Sequence, residues 1–240
     1  MKSKAKREFR LNFNGHIGSQ FEKIRIKDAV NSEGYKADDD QILPTNRRWI
    51  QLLDGADIIT QGYKEQNGRV KISDLATRKY KYKIISCDNL SKVMDELSRK
   101  SKYQALLADP QKKENIDGFS IPGKKKIYHK TNLTEEQKNF VIAHELSHFL
   151  LGHEGRIFFK CSSKSGENKE LLEKPVYNEE ADKLAAFLLM PYIHMQELVK
   201  ESNDDIAKQF KVPVRAVEKR KKELETEMNI FCYIPPSIRK

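Results

Sequence analysis

Residues 134–153 read TEEQKNFVIAHELSHFLLGH. Thr134 sits where a helix N-cap belongs, and Gln137, three residues on, completes a capping box. Glu135 and Glu136 suit the positive end of a helix dipole. Phe140, Val141, Leu146, Phe149, Leu150 and Leu151 make the following turns apolar, and Gly152 is a natural stop. The segment is therefore expected to be a core helix. Within it, His144 and His148 stand at i and i+4 and present two imidazoles to one point. Glu145 lies about 100° round the helix from His144. Two ring nitrogens with a carboxylate beside an open position are the donor set that hydrolytic Zn2+ requires. A buried His-Glu-His with nothing to bind would cost desolvation energy without return. The metal reading is thus preferred over an ordinary amphipathic helix.

Catalytic zinc takes a third protein ligand. The metzincin spacing fails here, because its third His and its Gly would fall on Glu154 and Leu151. Residues 178–191, NEEADKLAAFLLMP, supply a better partner. They read as a second helix, acidic at its start and stopped by Pro191. Ala181, Leu184, Ala185 and Leu188 recur at helical spacing, and the alanines permit a close approach. A Glu from the first turn could then reach the metal.

Together these two segments, with GFSIPGKKKIYHK (118–130) in the place of the preceding strand, resemble the ImmA/IrrE family of zinc-dependent peptidases. The likeness covers roughly residues 115–220. It implies an α+β fold: a small zincin-like peptidase core of a short sheet, the HExxH helix and a ligand helix. It also implies a gluzincin-like ligand set of His144, His148 and a Glu from the second helix, with Glu145 as the base. Known members of the family cut helix-turn-helix repressor proteins and so release genes of mobile elements or stress responses. One position departs from the pattern. The family's ligand Glu lies four residues before Asp182, and that position here is Asn178. Glu179, which shares a face with Asp182 and Ala186, is the expected third ligand, with Glu180 as the alternative. Asp182 would accept a hydrogen bond from a metal-binding imidazole. Tyr128, His129, Tyr177, Tyr192 and His194 are open candidates for stabilising an oxyanion. Residues 126–130 alternate like a strand. In the family this strand is a sheet edge beside the cleft, where a peptide substrate could add by backbone hydrogen bonds.

The rest of the chain sets limits. It has 240 residues, of which 38% are hydrophobic and 33% charged, and a net charge of +10. No apolar run is long enough for a transmembrane helix. The basic start MKSKAKREFR is followed by LNFNGHIGSQ, which is not an apolar signal core. Three widely spaced cysteines, Cys87, Cys161 and Cys232, indicate a reducing compartment, so a cytoplasmic protein is expected, without a membrane partner. The lysines are scattered, which weakens a single-groove model of nucleic-acid binding.

Three segments follow. Residues 1–110 are an N-terminal module without a chemical motif, either a recognition or regulatory unit or an elaboration of the protease fold. In it, 24–26 and 83–86 read as strands, 46–53 as a short helix around Trp49, and 90–107 as a helix. Residues 111–200 are the peptidase core. Residues 201–240 are helical, and 204–220 have the rhythm of a helix-turn-helix, with Arg215, Lys219 and Arg220 placed for a weak nucleic-acid contact. Two functions compete. One is an intracellular zinc metallopeptidase cutting a specific protein, foremost a DNA-binding repressor. The other is a DNA- or protein-binding regulator with a vestigial or structural metal site.

Overall fold

The computed structural model describes residues 35–38, 41–44, 46–98, 116–121, 124–153, 158–161 and 175–233. In chain order the elements begin with strands β1 (Tyr35–Asp38) and β2 (Gln41–Pro44), which form an antiparallel hairpin. Helix α1 (Asn46–Thr60) follows, then a short helix α2 (Ile72–Asp74) that continues as a π-helical turn over Leu75–Lys79. Next come β3 (Lys83–Cys87), α3 (Leu90–Ser98), β4 (Ile116–Ile121) and β5 (Lys126–Lys130). Helix α4 (Glu135–Leu150), β6 (Phe158–Cys161) and α5 (Pro175–Leu189) carry the motifs. Helices α6 (Tyr192–Glu197), α7 (Asn203–Phe210) and α8 (Val214–Tyr233) are the last of the described elements. The expected strand at 24–26 and the second half of the 90–107 helix lie outside the described residues. The fold is α+β, as expected.

Helix α4 begins as its sequence dictates. The Thr134 hydroxyl accepts from the Gln137 amide at 3.3 Å, and the Gln137 side chain accepts from the Thr134 amide at 3.0 Å. Val141 through Leu150 are all buried, so the helix is enclosed on every side rather than presenting one apolar stripe. Gly152 ends it with a φ of +72°, a conformation that costs glycine nothing.

The larger sheet has the order β3-β5-β4-β6. β5 is parallel to β3, from Lys83↔Lys126 to Cys87↔Lys130, and antiparallel to β4. β5 is therefore an interior strand, which corrects the expectation of a free edge at 126–130. Both its hydrogen-bonding sides are occupied, so no peptide can add there. The strands forming the sheet edges are β3 and β6. A register shift between Ile116 and Gly118 bulges β4. Ile116 thereby joins Phe119 and Ile121 in a small cluster with Leu90 and Met94 of α3. Gly118 lies on the opposite face, under α4. A Cβ built there would sit 2.3 Å from Val141 Cγ1 and 2.7 Å from the Tyr128 carbonyl oxygen, so only glycine lets α4 lie this close.

The main core lies on the α4 side of the sheet. It joins Leu52, Ile59, Ile72 and Tyr80 to Ile142, Leu146 and Phe149 of α4, to Leu184 and Phe187 of α5, and to Phe210, Val217 and Leu224. Tyr80 and Tyr82 meet the Phe149 ring edge-on, with centroids 5.9 and 5.3 Å away. Residues 52–87 contribute a strand and a large part of the core around the motif helix. Lys79 stabilises the join: its ammonium donates to the Ile59 carbonyl at 2.7 Å, near the end of α1.

The C-terminal segment has two helices joined by a tight turn. Ser202 caps α7 by accepting from the Asp205 amide at 3.1 Å, and Lys211 turns the chain with a φ of +55°. Val212 is buried and Pro213 precedes α8. Helix α8 is docked on α5 by an unusual set of groups. Arg220 is completely buried, with its Nε donating to the Met190 carbonyl at 3.3 Å and its guanidinium 4.7 Å above the Phe187 ring. Lys183 of α5 and Glu223 of α8 form a buried ion pair. Of the three cations expected to face nucleic acid, Arg215 is exposed, Lys219 is half exposed beside Glu179, and Arg220 is interior.

Candidate metal centre

His144, Glu145 and His148 are buried on α4 because that helix is enclosed by the sheet on one side and α5 on the other. The Nε2 atoms of His144 and His148 face each other at 3.1 Å. Two imidazoles bound to one tetrahedral zinc at about 2.0–2.1 Å would place their nitrogens about 3.3 Å apart. The observed separation is close to that figure.

The outer nitrogens show what each ring is doing. His144 Nδ1 lies 2.7 Å from Asp182 Oδ1 on α5. A carboxylate accepts only, so His144 donates from Nδ1 to Asp182 and turns Nε2 towards His148. His148 Nδ1 lies 3.0 Å from His153 Nδ1, and His153 Nε2 lies 3.2 Å from Glu180 Oε2. His153 reaches this place because Gly152 folds the chain back, letting the His153 amide donate to the His148 carbonyl at 2.9 Å. Two converging imidazole nitrogens, each ring steadied from behind, are chemically fitted to a cation between them.

The expected third ligands stand elsewhere. Glu179 is half exposed, with its carboxylate 3.7 Å from Lys219 Nζ. Glu180 is buried but lies behind His148, separated from the shared point by the His153 and His148 rings. Among the described residues, no group of three His, Cys, Asp or Glu side chains is placed to hold a metal ion. Asn178 lies one turn before Asp182 on the same face of α5. Its Oδ1 is buried and has no hydrogen-bond partner. An oxygen in that condition is suited to a water or a cation.

The oxyanion candidates are dispersed. Tyr128 stacks on Phe119 at 4.8 Å, on the sheet face away from α4, where burial and the neighbouring Cys87 hold its hydroxyl above the usual range. His129 Nδ1 contacts the Lys130 carbonyl at 2.8 Å, and burial holds this imidazole below its ordinary value. The Tyr192 hydroxyl accepts from Gln196 at 2.7 Å. His194 lies against Gly68, and its Nδ1 is 3.6 Å from Glu197. The Tyr177 side chain lies outside the described residues.

One group near the site was not anticipated there. Lys219 projects from α8 towards Glu179, Asp182 and Glu223. Burial opposes its charge, but the three carboxylates outweigh this and hold its ammonium above the ordinary lysine range. Its sequence neighbours gave only a helix-turn-helix rhythm, with no sign that acids from another helix would claim it. His153, which the sequence offers as a nearby third-ligand candidate just after the helix, stands instead behind His148, between it and Glu180.

A motif helix laid on a short sheet and crossed by a second helix that supplies Asp182 defines the core of a zincin-like metallopeptidase. Residues 105–222 match the model of the IrrE N-terminal-like domain, peptidase family M78. That part of the chain belongs to the ImmA/IrrE peptidase family, which is a metallopeptidase family. A comparison with curated proteins finds no match.

Proposed function

We propose that the protein is a zinc-dependent endopeptidase that cuts a specific protein substrate, foremost a helix-turn-helix repressor of a mobile element or stress response. The observation that carries the reading is the pair of Nε2 atoms 3.1 Å apart, with His144 held from behind by Asp182 and with Glu145 on the same buried helix. His144 and His148 would hold the metal. The Asn178 oxygen is the nearest match to the family's third ligand position; Glu179 or Glu180 could serve only after leaving Lys219 or His153. Bound there, zinc supplies Lewis acidity towards a water and a peptide carbonyl. Glu145 accepts the proton of the attacking water and passes it to the leaving amine. Asp182 holds His144 through Nδ1, so that Nε2 is turned to the shared point. The choice of a repressor as substrate, and of the cytoplasm as compartment, is supported by the family's known members and the sparse cysteines.

A second reading, a DNA- or protein-binding regulator with a structural or vestigial metal site, is favoured by Asn178 in the ligand position. The experiment that separates the two measures zinc content and repressor cleavage for the wild type and for Glu145→Gln. The peptidase reading expects the variant to retain zinc and lose cleavage. A wild type that holds no metal and never cuts would refute it.

A further inference from the structure

We propose that the corner of the sheet where β3 and β5 begin is a binding surface for double-stranded DNA, held through its phosphates without regard to sequence. The proposal rests on neither reading of the metal centre. Two stretches that contain no acidic residue, 75–87 and 118–134, supply the charge: Lys81 and Lys83 come from the first, and Lys124, Lys125 and Lys126 from the second. They are far apart in the chain, and the parallel pairing of β3 with β5 joins them. Lys83 and Lys126 are register partners on strands about 4.8 Å apart. The Lys83 amide donates to the Lys125 carbonyl at 2.8 Å. Ile84 and Ile127 point into the main core, so Lys83 and Lys126 project from the opposite face of the sheet. Lys125 is on the α4 side, with its ammonium 5.8 Å from the centre of the Phe149 ring. Lys81, Lys83 and Lys124 are exposed. The charges therefore wrap the end of two adjacent strands.

Two observations set this cluster apart from a general scatter of lysines. Elsewhere the cations meet carboxylates: Lys130, at the other end of β5, lies 3.9 Å from Asp117, and Lys64 lies 2.6 Å from Asp57. At the border of the first stretch, Asp74 is engaged by Arg78 at 3.7 Å. Among the described residues, Lys81, Lys83, Lys124 and Lys126 form no ion pair. The backbone supplies the second observation. Lys81 and Lys125 have φ of +63° and +48°, a conformation that glycine or asparagine adopts with less strain. Lysine at these turns adds charge to the corner where glycine would relax the chain. Like charges held this close repel one another, and a polyanion relieves that repulsion while releasing its own counterions.

The surroundings select the kind of polyanion. Tyr80 and Tyr82, interleaved with the cations, are buried against Phe149 and cannot stack on bases, which disfavours a single strand. An acidic peptide lying along β3 would run past Ile84 to Cys87. Its side chains would alternate between faces, so only one or two of them could meet the corner. A DNA duplex carries about one charge per 1.7 Å of its axis and meets every lysine of the cluster. The end of two strands fits the wide major groove of B-form DNA and the phosphates that flank it, and the deep, narrow major groove of duplex RNA does not admit it.

The test follows the fluorescence anisotropy of two labelled DNA duplexes of unrelated sequence as the full chain is added, at salt from about 50 to about 200 mM. Three to four phosphate contacts give a slope of log affinity against log salt of about −2.7 to −3.6, so affinity should fall about 40–150-fold over that range, equally for both sequences. Lys81→Gln/Lys83→Gln/Lys124→Gln should flatten the slope to between about 0 and −0.9. The same three positions changed to Arg should bind as the wild type does. Lys208→Gln/Arg215→Gln/Lys222→Gln removes as much charge from α7 and α8 and should leave the slope unchanged. Circular dichroism checks folding; if the corner Gln triple does not fold, Lys124→Glu alone should make the slope shallower by about 0.9 or more. The proposal is overturned if the wild type shows no salt-dependent binding, or if the α7–α8 triple loses as much as the corner triple. Duplex RNA or a labelled oligoglutamate peptide binding as tightly as the DNA would overturn it too, by assigning the surface to another partner.

Discussion

Glu223→Leu is expected to be among the most damaging single substitutions outside the motif. Glu223 and Lys183 are each less than one-tenth exposed and form the ion pair between α8 and α5. Removing one partner of a buried pair leaves an uncompensated charge and costs about 3–5 kcal/mol. For a chain of this size, about 2–4 °C of Tm accompanies each kcal/mol, so the melting temperature should fall by roughly 6–20 °C. The double variant Lys183→Met/Glu223→Leu removes both charges and fills the space with apolar atoms. It should lie near the wild type or above it by up to about 4 kcal/mol. Urea and thermal unfolding of the wild type, both single variants and the double variant form a complete cycle. The reasoning is refuted if Glu223→Leu costs less than about 1 kcal/mol, since that is the behaviour of a solvated pair. It is equally refuted if the two single losses add in the double variant, because independent sites add and a shared pair does not.

Gly118→Ala should lower the urea midpoint by an amount equivalent to about 1–3 kcal/mol, because the new Cβ collides with Val141 and with the Tyr128 backbone. An unchanged midpoint would show that α4 does not pack this closely. His129 adds a pH dependence. Burial depresses its folded pKa below the ordinary 6.5, so the unfolded chain binds more protons and stability falls as pH drops through the unfolded value. His129→Gln should flatten that part of the stability–pH profile relative to the wild type, and an identical slope in the two proteins would contradict the burial argument.

Features set by local chemistry were readable from sequence. The Thr134 capping box, the Gly152 stop, the strand rhythm of 126–130 and the buried alanines of α5 all depend on residues within one or two turns of each other. The sequence offered Asp182 as an acceptor for an imidazole of α4, and the structure sets its carboxylate 2.7 Å from His144 Nδ1. What escaped depended on chain segments far apart in sequence. The pairing of β3 beside β5 gives no local sign, so β5 was expected to be an edge. Leu52, Ile59, Tyr80 and Tyr82 belong to the motif helix's core, yet nothing around them distinguishes that role from a separate module. Glu179 and Glu180 are adjacent, and their fates were decided by Lys219 and His153 on other elements. Arg220 resembled a surface cation until Phe187 and the Met190 carbonyl were seen to enclose it.

The sharing of one core between α1 and α5 has a consequence for synthesis of the chain. Helix α1 starts at Asn46 and α5 at Pro175, so the apolar face of α1 leaves the ribosome about 130 residues before its partner. At about 5–20 residues per second, that interval is roughly 6–26 s. Throughout it, Leu52 and Ile59 have no α5 to cover them, and β3 waits for β5 as an unpaired strand, a form that templates association with other chains. The motif helix α4 is also made late, so nothing at the candidate centre can help hold the early segments together. The nascent chain must pass this window with Leu52, Ile59 and the edge of β3 already made, an interval in which chaperones that bind apolar segments can act.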